Sequence, residues 1–133
     1  MERAVRFTVP PQRMMPMTAL IVDDDRAFRR VVRRLLERAG DISVVGEADD
    51  GEEAVELTRQ FQPDVVLMDA AMPRVDGFEA TRRIKAERPQ TKIIILTVHE
   101  EGVYRRAAKG SGADDFLIKK TLATKLLPAI VEQ

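Results

Sequence analysis

Ala19-Leu20-Ile21-Val22-Asp23-Asp24-Asp25 is the stretch whose reading decides the fold: four apolar residues without alternation, then three acids. A strand with one wet face alternates apolar and polar residues. An unbroken apolar run instead suits a strand covered on both faces, as in a parallel sheet flanked by helices. The next segment is helical: Phe28, Val31, Val32, Leu35, Leu36 and Ala39 recur at helical spacing, Asp25 is placed as N-cap, and Gly40 is a stop signal. Outward along the chain the rhythm repeats. Ile42–Ala48 reads as a second strand. Asp50 and Glu53 form a capping-box pattern before a helix whose face carries Ala54, Leu57, Thr58 and Phe61. Pro63 closes that turn and Asp64–Asp69 is a third strand. The third helix begins after Asp76-Gly77 and runs to about Arg88, where Pro89 stops it. Lys92–Thr97 is the fourth strand, about Glu101–Gly110 a short and weakly apolar helix, and Asp115–Ile118 the fifth strand. Thr121–Gln133 is a last helix that Pro128 is expected to interrupt. Five βα units are too few for an eight-unit barrel. The expected fold is therefore α/β, an open, doubly wound, five-stranded parallel sheet with right-handed crossovers.

The chain has 133 residues and a mass of 15.0 kDa, the size of one domain. Residues 1–17 hold Pro10, Pro11 and Pro16 and four of the six methionines without periodicity. They are expected to be a poorly ordered extension, with the domain over residues 18–133. Met14, Met15 and Met17 are each candidate starts. Twenty-two basic residues balance 22 acidic ones, which argues against a generally basic nucleic-acid binder. The absence of cysteine excludes disulfides, zinc–thiolate sites and thiol catalysis. A single histidine, His99, excludes multi-histidine metal centres. No apolar run approaches the ~18 residues of a membrane span and no signal-type segment opens the chain, so a cytoplasmic location is expected. Arg26, Arg29, Arg30, Arg33, Arg34 and Arg38 crowd the first helix and read as a solvated face opposite its apolar stripe.

In open α/β sheets ligands bind outside the carboxyl ends of the strands. Those ends carry Asp23 and Asp24, Asp69, Thr97 and Lys119. Three crowded acids repel one another, and without a cation at least one must have a raised pKa. A hard divalent ion such as Mg²⁺, which takes oxygen ligands, relieves the repulsion. Lys119 is suited to pairing with an anion beside that ion. Together these groups suit a carboxylate that attacks phosphorus while positive charge neutralises the transferring group.

These segments resemble the receiver domain of two-component response regulators. The matching pieces are Leu20–Asp25, Asp64–Asp69, Met72-Pro73 with Asp76-Gly77, Leu96-Thr97 and Gly112–Lys119. The resemblance implies a flavodoxin-like sheet of strand order 2-1-3-4-5. It makes Asp69 the phosphoacceptor, Asp24 and Asp69 direct Mg²⁺ ligands, and Asp23 a ligand mainly through water. The backbone carbonyl of Ala71 would complete the protein ligands. Thr97 and Lys119 would each hold a phosphoryl oxygen, and Phe116 would be the aromatic that turns inward when Thr97 moves. Ala71 is small at a place where side chains overhang the phosphoryl group, which eases water access, and His99 lies two past Thr97, so both are candidates for tuning the rate. Lys120 stands where many members have proline, which disfavours a cis peptide there. The implied partners are a sensor histidine kinase or phosphotransfer protein, which the first helix would touch, and a downstream protein or output domain. A second copy docking through the face of the fourth helix, fifth strand and fifth helix is also implied.

On this reading the protein is a signalling switch whose only chemistry is self-directed phosphoryl transfer and autodephosphorylation. An aspartyl phosphatase needs a second acid two past the nucleophile, where Ala71 stands. A flavin or nucleotide carrier on the same fold sits poorly with acidic strand ends. A receiver used only for docking and the receiver fragment of a helix-turn-helix transcriptional regulator stand as rival readings. Because the sequence ends at Gln133, after the last helix, the expectation is a single-domain regulator or a receiver cut from a longer chain.

Overall fold

The computed structural model describes residues 16–131. The remainder, including most of the expected N-terminal extension and the last two residues of the expected final helix, lies outside the described residues. The elements are β1 (Met17–Val22), α1 (Arg26–Ala39), β2 (Ile42–Ala48), α2 (Gly51–Phe61), β3 (Val65–Asp69), α3 (Gly77–Glu87), β4 (Lys92–Thr97), α4 (Gly102–Ser111), β5 (Asp115–Ile118) and α5 (Leu122–Val131). β1 starts at Met17, one residue before the expected domain boundary, because its N–H bonds to the Asp41 carbonyl at 3.0 Å and it pairs with Ile42.

The strands are all parallel in the order β2-β1-β3-β4-β5. The pleat explains why the central strands show no alternation. Ala19, Ile21, Val65, Leu67, Ile94 and Leu96 point to one side, where Val32 and Leu36 of α1 and Leu122, Leu126 and Ile130 of α5 cover them. Leu20, Val22, Val66, Met68, Ile93 and Ile95 point to the other, under Ala54 and Val55 of α2, Ala80 and Ile84 of α3 and Ala108 of α4. Each large side chain so buried contributes about 1.5–3 kcal/mol, so both helical layers are firmly attached. α4 is the exception, with only Ala108 and Ser111 buried.

Side chains cap the helices where the sequence places them. Asp25 accepts from the N–H groups of Ala27 and Phe28, Asp50 from Glu53, and Asp76 from Glu79. Gly40 ends α1 and Gly112 ends α4, both with left-handed backbone. The α2 capping box differs from expectation, since the Glu53 carboxylate returns to the N–H of Asp49 (3.1 Å) rather than to that of Asp50. Phe61 is 42% exposed, not a core residue, although its ring covers Gly46 of the edge strand β2. Pro128 does not interrupt the last helix. α5 begins after a 3₁₀ turn over Lys119–Thr121 and continues through Pro128 to Val131. Pro128 lies on the exposed side, while Leu126, Ala129 and Ile130 anchor the turns around it. The Lys92 ammonium donates to the carbonyls of Ala129 (2.6 Å) and Ile130 (3.1 Å) at the helix end. No helix among the described residues is long and apolar enough to cross a membrane.

Candidate functional site

Strand register assembles the site. β1 and β3 run side by side with Val22 opposite Met68, so Asp23 and Asp69 follow as neighbours at the carboxyl edge. Asp69 pairs with Leu96 of β4, and Thr97 pairs with Ile118 of β5, which delivers Lys119 to the same edge. Oxygens of Asp23, Asp24 and Asp69 lie within 4.8 Å of one another. Asp23 and Asp69 are buried while Asp24 is exposed. The Lys119 ammonium sits 2.7 Å from Asp23 Oδ2 and 3.0 Å from Asp69 Oδ1.

The electrostatics follow from this crowding. Burial pushes the Asp69 carboxyl up to about 6, and the charges of Asp23 and Asp24 act in the same direction, against the opposing pull of Lys119. Burial lowers the Lys119 ammonium, but Asp23 and Asp69 outweigh it and hold the group above its usual value. Three carboxylates against one ammonium leave two negative charges on hard oxygen donors. That donor set and charge fit a divalent cation of the Mg²⁺ type.

Backbone packing fixes the nucleophile strand. Gly77 opens α3 directly against the end of β3: its N–H bonds to the Ala70 carbonyl at 2.9 Å, and a Cβ there would overlap the Asp69 carbonyl oxygen. Gly51 opens α2 against the Val75 carbonyl in the same way. Between these two contacts Arg74, in left-handed backbone, pairs with the buried Asp50 carboxylate. The loop after Asp69 is thus tied to the start of α2.

Asp23 is held from several directions. Its Oδ1 accepts from the Asp25 N–H (2.9 Å), and its carbonyl accepts from Arg29 Nη1 (2.6 Å). Arg29 also bonds Glu47 on β2 at 2.7 Å, and Arg33 reaches the other oxygen of that carboxylate at 2.8 Å. The arginine face of α1 is therefore only partly solvated, because the Glu47 carboxylate on the adjacent strand draws two of its members inward. Burial raises Glu47, but the two guanidinium groups outweigh it and hold the carboxyl below 4.5.

Thr97 is buried, and its hydroxyl accepts from the His99 N–H at 3.1 Å. The His99 ring stacks on Tyr104 with centroids 4.3 Å apart, and its Nδ1 is 3.7 Å from Glu101. Its contacts thus run to α4 rather than to the aspartates. Phe116 is 6% exposed, with the Arg105 guanidinium 4.8 Å from its ring centre. Ala71 is exposed in the loop two residues past Asp69. Lys120 points to Glu100 at 3.4 Å, and there is no cis peptide among the described residues. Sequence reading missed two contacts. Phe28 was legible only as part of an apolar stripe, yet its ring lies 4.1 Å from the Lys119 ammonium. The bond from Arg29 to Asp23 left no signal beyond a basic residue in the second turn of α1.

Comparison with known proteins agrees with this fold. The family model described as response regulator receiver domain matches residues 19–131. The chain is 39% identical over 111 residues to the transcriptional regulatory protein DegU of Brevibacillus brevis, covering 84% of this chain and 47% of that protein. It is 42% identical over 114 residues to the response regulator UvrY of Escherichia coli K12, covering 86% and 52%. The chain spans about half the length of these curated relatives. The signal receiver domain of the putative response regulator NarL from Mycobacterium tuberculosis superposes with a TM-score of 0.84 at 33% identity, covering 88% of this chain and 94% of that one.

Proposed function

The chain belongs to the response regulator receiver domain family, and from that premise we propose that it is a phosphorylation-driven signalling switch with Asp69 as phosphoacceptor. The observation that carries this reading is the meeting of Asp23, Asp24, Asp69 and Lys119 at one sheet edge. A carboxylate oxygen of Asp69 attacks the phosphorus of a phosphohistidine on a sensor kinase or phosphotransfer protein. A P–O bond forms as the P–N bond breaks, and the electron pair leaves with the imidazole nitrogen. Asp23, Asp24, Asp69 and the Ala71 carbonyl would hold Mg²⁺, which when bound neutralises charge on the transferring group. Lys119 exchanges its contact with Asp69 for a phosphoryl oxygen. Thr97 gives up the His99 N–H and donates its hydroxyl to another.

Phe116 is already turned inward, contrary to the expected inward swing, so the rearrangement reaches the surface through Thr97, its loop and α4. It alters the face of α4, β5 and α5 that a downstream partner, an output domain or a second copy would read. Water at the exposed edge beside Ala71 later hydrolyses the acyl phosphate, and His99 acts on that rate only through the position of its loop. A phosphohistidine donor on a sensor kinase or phosphotransfer protein supports a cytoplasmic setting for its acceptor.

Incubation with acetyl phosphate and Mg²⁺, read by intact-mass spectrometry and peptide mapping, tests the proposal. One phosphoryl increment on Asp69 is expected in the parent chain, and none in Asp69→Ala. A parent chain that stays unmodified, or an adduct that persists in the variant, overturns it.

A further inference from the structure

The Lys119 side chain needs something other than its own backbone to hold it. It projects from the 3₁₀ turn Lys119–Thr121, in which no residue is buried. Three groups touch its ammonium: the carboxylates of Asp23 and Asp69, and the ring of Phe28. A divalent ion competes for both carboxylates, and phosphoryl transfer changes Asp69 itself. The Phe28 ring is the one contact that neither event competes for, because it is uncharged and ligates nothing. It is also firmly mounted. Phe28 lies in the first turn of α1, where its N–H bonds to the capping Asp25 carboxylate at 3.3 Å, and its side chain packs against the core beneath α1 and α5. An ammonium over an aromatic face is attracted to the ring's electron-rich centre, the more strongly where water is reduced.

We propose that Phe28 is a positioning residue for phosphoryl transfer: its ring face holds the Lys119 ammonium at the pocket while the carboxylates are taken up by metal and phosphate. This rests on the phosphoacceptor reading of Asp69. Leucine at this position fills similar space but lacks the π-face, whereas tyrosine keeps it.

The experiment compares the parent chain with Phe28→Leu and Phe28→Tyr. One readout is the rate of adduct formation with acetyl phosphate at saturating Mg²⁺. The other is the chemical shift of the Lys119 Cε protons in metal-free protein, assigned with Lys119→Arg. The ring should move those protons upfield of the other lysines in the parent and in Phe28→Tyr, and the displacement should vanish in Phe28→Leu. Adduct formation should slow about fivefold in Phe28→Leu and stay within about twofold of the parent in Phe28→Tyr. Undisplaced Lys119 protons in the parent chain overturn the proposal without reference to any variant. So does a Phe28→Leu rate equal to the parent's, or equal slowing by leucine and tyrosine. A parent chain that forms no adduct defeats the phosphoacceptor reading instead, and the proton shift then still decides whether the ring engages the ammonium.

Discussion

Replacing Asp69 by asparagine should stabilise the metal-free protein at neutral pH, although it removes the proposed nucleophile. The Asp69 carboxyl is raised to about 6 from an ordinary value of 3.8, with burial the largest cause. A raised acid favours the folded state below 3.8, and that contribution is lost as pH rises through about 6. Above that, folding carries the cost of an ionised, buried carboxylate. At 1.36 kcal/mol per tenfold, the gap corresponds to about 3 kcal/mol. Asparagine has no such charge. The pull of Lys119 is already contained in that raised value, and Lys119 keeps Asp23 at 2.7 Å, so a net gain of up to about 3 kcal/mol is expected. Urea unfolding followed by circular dichroism, with chelator present, measures this at pH 7.5 and pH 4. The variant should exceed the parent at the higher pH and match it at the lower. Adding Mg²⁺ at ten times its dissociation constant should return about 1.4 kcal/mol to the parent and much less to the variant. A variant less stable than the parent at pH 7.5 without metal would refute the claim that crowding at Asp69 opposes folding.

Two further outcomes are expected from the packing around the site. Gly77→Ala should cost about 2–3 kcal/mol in urea unfolding, because its methyl group would have to displace the Asp69 carbonyl; a midpoint equal to the parent's would show that α3 does not press on β3. Glu47→Gln should cost up to about 1 kcal/mol at pH 7, since this pairing is partly exposed. The Glu47 carboxyl is held below 4.5, so its contribution is present above that pH and lost as pH falls through the folded-state value. The difference between parent and variant should fade in acid, and a difference that persists there would trace it to something other than the Arg29 and Arg33 pairs.

The sheet was legible because burial on both faces leaves a strong mark. The bounds of β2, β4 and β5 match the apolar and β-branched runs, and the carboxyl-edge rule led from them to Asp23, Asp69, Thr97 and Lys119. Other features were hidden because they depend on pairings across distant parts of the chain. Pro128 reads as a helix breaker from its missing N–H, but it faces outward while Leu126, Ala129 and Ile130 on either side of it are buried against the sheet and hold the helix together. Arg29 and Arg33 look solvated until β2 places Glu47 beside them. Phe28 and Lys119 share no local pattern at all; only the reach of the Lys119 side chain across the carboxyl edge of the sheet to the first turn of α1 reveals them as partners. Phe61 misled because helical spacing marks a face without stating how far the edge strand beneath it extends.

The seat of the nucleophile has a mechanical implication. With α3's first residue wedged against it and the sheet's centre behind it, the main chain at the end of β3 has no room to recoil when its side chain gains bulk. The next helix in the same layer yields more easily, because α4 is anchored by so little. On the proposed phosphoacceptor reading, strain created at that carboxylate would be channelled in one direction, as in a vice with one jaw bolted down and the other free to slide.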